Sequence, residues 1–258
     1  MELHDLWFFL ICVLWSGYFV LEGFDFGVGM LIPVLGRSEE DRGTWLGTIG
    51  PVWDGNEVWL VTAAGATFAA FPQWYATMFS GFYIALLLVL VLLIVRVVSF
   101  EWREKVDSDR WQGVWTGANV VASYGIPLLW GIALTSLLAG VPVGEDKEFT
   151  GNVFDLFSWY SVLGGVAFMA LFAWHGSVFI TLRTTGAMKE RAHHLSLRLA
   201  PFSVLLTIAF LAATLWTGVD ANEKGLVGGL VIIPLAVAAL LVAWFMAGRE
   251  AGPAIEIK

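Results

Sequence analysis

This chain of 258 residues reads as an all-α, polytopic membrane protein on three grounds. Hydrophobic residues fill 58% of it and charged residues only 14%, against about 45–50% apolar in an ordinary globular domain. Its mean hydropathy is +0.76. Its apolar runs are long enough to cross the hydrocarbon as helices, which takes about 20 residues at a rise of 1.5 Å each. Barrel strands would be half that length and would alternate polar with apolar positions, as these runs do not.

Seven spans meet that length, at 6–34, 45–71, 74–98, 114–138, 157–182, 200–217 and 226–246. The polar stretches between them are too short for a separate folded unit, so residues 1–258 are expected to form one transmembrane domain. The first span follows Glu2 and Asp5, acids where a secretory signal would carry base, and its run is too long for a signal core. It is therefore expected to be a retained helix. Arg37 and Arg42 separate it from the second span; Arg96, Arg103, Lys105 and Arg110 surround the connection after the third. The connection after the fifth carries Arg183, Lys189, Arg191 and Arg198, and the tail carries Arg249 and Lys258. These twelve face only Lys147 and Lys224 on the opposite side, where Glu2, Asp5, Glu145, Asp146, Glu148, Asp220 and Glu223 lie. Because basic loops stay cytoplasmic, the N-terminus is expected outside and the C-terminus inside. Trp7, Trp74, Trp102, Trp111 and Trp216 fall near span ends, as interfacial anchors do.

Several functions are excluded. A net charge of −8 has the wrong sign for gripping phosphate backbones, so no nucleic-acid partner is expected. A lone cysteine, Cys12, allows neither an intrachain disulfide nor a Cys-ligated zinc or iron–sulfur site. Of the four histidines only His175 lies within a span, so this chain alone offers no bis-His haem site and no metal site is expected. The seventh span contains no lysine for a Schiff base, and no phosphate-cradling glycine loop is present.

The chemistry points to four intramembrane acids. Glu22 and Asp25 in the first span, and Asp54 and Glu57 in the second, are each spaced i, i+3 and share a helix face. If the hairpin turns near Glu39 and Glu40, Asp25 pairs with Asp54 and Glu22 with Glu57 as two acidic rungs, roughly 15 to 25 Å from the cytoplasmic end by helix rise. An ionised Asp at the centre of a span costs about 2.5–3.5 kcal/mol on insertion scales. Neither span holds a Lys, Arg or His, leaving protonation, water or a partner group outside these helices to compensate. Proton uptake and relay is the functional hypothesis. A blander reading is open for Asp54: Gly50 and Pro51 fit a helix start, which would leave Asp54 in a first turn as a dipole-stabilising acid. Gly23 and Gly27 form a G-x-x-x-G spacing that lets another helix approach.

The runs Glu22-Gly23-Phe24-Asp25-Phe26-Gly27-Val28-Gly29 and Gly50-Pro51-Val52-Trp53-Asp54-Gly55-Asn56-Glu57-Val58-Trp59-Leu60 closely resemble subunit II of cytochrome bd-type quinol oxidase. Arg96 with Phe100-Glu101-Trp102-Arg103, and His175-Gly176 followed by Arg183-Thr184-Thr185-Gly186, extend the likeness over most of the chain. The resemblance implies a bacterial cytoplasmic-membrane complex that oxidises quinol and reduces dioxygen to water. Its two haem b, one haem d and quinol site would belong to a haem-bearing subunit I, with no catalytic or cofactor-binding residue in this chain. Quinone, lipid and small single-helix subunits are the other implied partners. Asp54 and Asp25 match acids assigned to a cytoplasm-facing proton route; Glu22 and Glu57 are weaker candidates for it, and Trp53, Gly55, Asn56, Gly23 and Gly27 are motif and packing positions. Family members usually continue to about nine helices, two four-helix bundles and a peripheral helix, so the resemblance implies either a longer parent sequence or a second bundle closed by a partner or lipid. A proton-coupled secondary transporter, or a scaffold whose acids are hydrogen-bonding glue, are the alternatives.

Overall fold

The computed structural model describes residues 2–219 and 223–249. The charges read at Asp220 and Lys258 lie outside the described residues. The element order is α1 (Leu3–Leu35), α2 (Glu39–Ile49), α3 (Trp53–Ala70), α4 (Pro72–Gly81), α5 (Tyr83–Arg103), α6 (Asp109–Ala139), a 3-10 turn (Val153–Leu156), α7 (Trp159–Arg183), α8 (Gly186–Val219) and α9 (Glu223–Arg249). Six helices among the described residues, α1 and α5 to α9, are long and apolar enough to cross a membrane, which makes the chain all-α and polytopic.

The expected span 45–71 is where the structure departs from the sequence reading. α2 stops at Ile49, because Pro51 has no N–H to continue the ladder and its ring opposes the carbonyl four residues back. Val52 takes a non-helical φ of −126° and ψ of −25°, and the chain restarts as α3 at Trp53. What remains is an 18-residue helix that opens with polar residues. The expected span 74–98 is α4 followed by α5, nearly continuous across Phe82, whose N–H donates to Met78 O at 2.9 Å and whose carbonyl accepts from Leu86 N–H at 2.8 Å. α8 starts at Gly186, in a left-handed conformation at φ +60°, so Lys189, Arg191 and Arg198 sit on a helix rather than in a loop.

α1 is the centre. It packs against α3, α6 and α7, while α5 lies on α6, α8 on α7 and α9 on α8. The main core joins Tyr18, Phe26 and Met30 of α1 to Val89 and Leu93 of α5, Ala122, Ile126 and Trp130 of α6, and Phe172 of α7. Lipid tails are as apolar as these side chains, so helices associate here through close packing and hydrogen bonds. α1 and α7 achieve the closeness with glycine. A Cβ on Gly27 would stand 1.9 Å from Phe172 O, one on Gly176 would stand 2.4 Å from Gly27 C, and one on Gly23 would strike the Phe172 ring at 2.8 Å.

α2 is held against the ends of the longer helices. Ser38 caps it, accepting from Asp41 N–H at 3.1 Å, and Trp45 and Ile49 bury into a cluster with Val28, Leu31, Leu35, Ile180 and Ala192. Glu39 pairs with Arg42 and Arg103, and Arg103 Nε donates to Thr116 Oγ1 at 3.0 Å. Arg191 of α8 grips Asp41 with both terminal nitrogens, at 2.9 and 3.1 Å. The Arg191 hydrogen bonds hold the Asp41 carboxyl below the ordinary carboxylate range.

Two outcomes follow from this packing. Gly27→Ala and Gly176→Ala should each force α1 and α7 apart, at about 1–3 kcal/mol of overpacking, read as a lower thermal midpoint in detergent. An acid with a depressed folded pKa contributes stability above its unfolded value and loses it as pH falls. The protection of the α2 amides against hydrogen exchange, relative to their intrinsic rates, should therefore fall as pH drops below about 4, and an Arg191→Gln variant should show lower α2 protection already at neutral pH.

Candidate functional site

Asp25, Glu22, Tyr18 and Trp15 follow one another along α1 at spacings of 3, 4 and 3, the repeat that keeps side chains on one face. Glu22, Asp25 and Tyr18 are all 0% exposed. This stripe faces the rest of the site.

α5 supplies the cation. Arg96 is fully buried, and its Nη1 donates to Glu22 Oε1 at 2.5 Å and to Glu57 Oε1 at 3.3 Å. One guanidinium nitrogen therefore bridges a carboxyl of α1 and a carboxyl of α3. The rest of the group lies between aromatic rings, with its central carbon 4.8 Å from the Phe26 centroid and 5.2 Å from that of Phe100, a placement suited to a planar delocalised cation. Its backbone is tied in as well. Ser99 Oγ donates to Arg96 O at 2.5 Å, and Asn119 Nδ2 of α6 donates to Ser99 Oγ at 2.9 Å.

α3 supplies the other half. Asn56 Nδ2 donates to Asp25 Oδ2 at 2.8 Å and to Leu21 O at 3.2 Å, so its amide fixes α3 to α1 beside the acid. Glu57, the next residue, reaches Arg96.

Of the four acids expected from the sequence, the structure gathers Glu22, Asp25 and Glu57, and leaves Asp54 exposed in the first turn of α3. The expected Asp25–Asp54 rung is not formed, because the break before Trp53 sets the helix so that Asn56 is opposite Asp25. Glu22 and Glu57 do come together, on Arg96. Trp53 lies 5.7 Å from the Phe100 ring. Gly55 is exposed, and a Cβ there would meet nothing within 4 Å. His175 sits apart, edge-on to Phe24 at 5.5 Å between ring centroids.

Arg96 is the residue that sequence reasoning misplaced. The charge pattern places it with the cytoplasmic residues of the connection after the third span, yet it lies inside the bundle and supplies the counter-charge that no Lys or Arg of α1 or α3 offers. The signal was present: apolar residues flank it as Leu93-Ile94-Val95 and Val97-Val98, and a cation there is placed by need.

Four polar atoms of the cluster are buried without a protein partner among the described residues: Glu22 Oε2, Asp25 Oδ1, and Nε and Nη2 of Arg96. Buried polar atoms of this kind call for bound water or an exchangeable proton. Arg96 cannot release its own proton, so any proton exchange within the cluster would fall to its carboxyls. Among the described residues no group of three or more His, Cys, Asp or Glu is arranged to hold a metal ion.

The sequence matches the family described as Cytochrome bd terminal oxidase subunit II over residues 3–256. It is 45% identical over 245 residues to cytochrome bd ubiquinol oxidase subunit 2 of Bacillus subtilis (strain 168), covering 95% of this chain and 71% of that protein. It is 40% identical over 225 residues to cytochrome bd-I ubiquinol oxidase subunit 2 of Escherichia coli (strain K12), covering 84% of this chain and 58% of the relative. With the probable cytochrome oxidase subunit 2 of Haemophilus influenzae it shares 40% identity over 218 residues, 83% of this chain and 57% of the relative. The chain thus spans less than two thirds of the length of the last two. The chain therefore belongs to the cytochrome bd terminal oxidase subunit II family.

Proposed function

We propose that this chain is the subunit of a quinol:dioxygen oxidoreductase that ligates no haem. It forms one transmembrane domain in a bacterial cytoplasmic membrane, N-terminus outside and C-terminus inside, and supports a haem-bearing subunit I. That partner would hold two haem b, one haem d and the quinol site, with small single-helix subunits and a bound quinone as further components. Haem chemistry supplies the electron path when the group is bound; the described residues of this chain suit a haem poorly. The apolar groove of about 430 Å³ beside His175 is lined by no second ligating side chain.

The chain's own contribution is proton uptake. The observation that carries it is the gathering of Glu22, Asp25 and Glu57 around Arg96 inside the bundle. One cation against three carboxyls is charge-balanced when two protons are present, so the cluster is built to hold protons rather than to stay fully ionised. Asp54, exposed at the start of α3, is the entry group, one helical turn from Glu57. Glu57 and Glu22 share a single nitrogen of Arg96, so a proton moving from one to the other keeps the same counter-charge within reach. Asp25, fixed by Asn56, is the next acceptor on α1.

A mild-detergent preparation should carry haem b and haem d bands with a second, larger chain. A colourless preparation without a partner would instead favour a proton-coupled transporter. Within the complex, Asp25→Asn, Glu22→Gln and Asp54→Asn should each lower quinol-driven oxygen consumption while haem content stays normal. Unchanged turnover in all three would refute the proton path and leave the acids as packing glue. Arg96→Leu strands two carboxyls, and breaking a buried pair costs about 3–5 kcal/mol. It should reduce assembled, haem-loaded complex in the membrane, read from the reduced-minus-oxidised spectrum, with Arg96→Lys recovering only part because an ammonium cannot fill the space between the two rings.

A further inference from the structure

The stripe on α1 runs past the acids. Tyr18 stands one turn beyond Glu22, and Trp15 one turn beyond Tyr18, toward the N-terminal end of the helix. Here the chemistry of the stripe changes. Around Tyr18 five rings touch: Trp15 and Trp130 at 5.3 Å between centroids, Tyr18 and Trp130 at 6.1 Å, Phe19 and Trp130 at 5.8 Å, and Phe19 and Phe168 at 5.5 Å.

A proton moves along a hydrogen-bonded chain only through atoms that both accept and donate. Carboxyls, water and the tyrosine hydroxyl do both; an indole N–H donates only, and a phenyl ring does neither. The Tyr18 hydroxyl and Trp130 Nε1 are buried on touching side chains, and neither has a protein partner among the described residues. Trp15 Nε1 donates to Thr67 Oγ1 at 3.3 Å, and that hydroxyl donates in turn to Ala63 O at 2.7 Å, a backbone acceptor where the chain of bonds stops. Tyr18 is therefore the last group on the stripe able to pass a proton. Trp15 and Trp130 also line an apolar groove of about 550 Å³, together with Leu60, Phe68 and Leu86.

We propose that Trp15, Tyr18, Phe19, Trp130 and Phe168 form a proton seal. A path that admits protons from one face must be closed toward the other, because each charge crossing unused dissipates the membrane potential. The seal ends the relay at a hydroxyl backed by donor-only and apolar rings. This rests on the proton-uptake reading above.

The test uses the intact oxidase complex in proteoliposomes, idle without quinol, with potassium and valinomycin balancing charge and an entrapped pH dye reporting an external acid pulse. Trp130→His and Trp15→His replace an indole with a ring that both accepts and donates. Each should admit protons severalfold faster than the unaltered complex, and Trp130→Phe should stay as tight. Adding Glu22→Gln to the leaky variant should return the rate to that of the unaltered complex. Two haem-replete His variants as tight as the unaltered complex would overturn the seal, as would a leak that persists with Glu22→Gln. If Trp130→His fails to load haem, Trp15→His decides alone. Undiminished oxygen consumption in Asp25→Asn, Glu22→Gln and Asp54→Asn alike, by contrast, overturns the uptake reading.

Discussion

A charge buried among membrane helices must be answered by another group of the protein, and here one guanidinium answers for two helices. Arg96 Nη1 touches carboxyls of both α1 and α3, so its position decides where three elements meet. Removing Arg96 leaves its carboxyl partners without the counter-charge that neither lipid nor aromatic packing supplies. The surrounding architecture serves this contact: Phe26 and Phe100 flank the guanidinium, Ser99 and Asn119 hold its backbone, and Asn56 sets the register of α3 against α1.

The rest of the fold divides the work between closeness and clamping. Gly27 and Gly176 let the backbones of α1 and α7 approach to contact, which fixes α1 from the side opposite the acids. α2 pins the ends of the long helices through Asp41 to Arg191 and Glu39 to Arg103. Because α2 leads through the Gly50–Val52 break into α3, that clamp also sets where Asp54 emerges and where Asn56 and Glu57 enter the bundle. The polar stripe of α1 is thus bounded by an ion-paired strap at one end and by aromatic rings at the other.

Membrane proteins make their helices legible, because backbone polar groups must be satisfied within each segment and hydropathy follows directly. The all-α class, the C-terminal ends of α6 and α7 to within a residue, and the common face of Glu22 and Asp25 on α1 were readable from composition and spacing. Pro51 was readable too, as the start signal that competed with a continuous second span, and the structure follows the proline. The positive-charge count misled for Arg96, since a basic residue near a span end reads the same whether it turns to the cytoplasm or into the bundle.

The sequence by itself determined that Glu22 and Asp25 lie within an apolar helix and that no Lys or Arg shares it. Only the tertiary structure decided which acids meet, because the decisive contacts join residues far apart in the chain, Glu22 with Arg96 across 74 positions and Asp25 with Asn56 across 31. Spacing along one helix fixes which side chains share a face, a property of 3.6 residues per turn. Which face then meets which neighbour depends on how several helices pack at once, and no single segment contains that information.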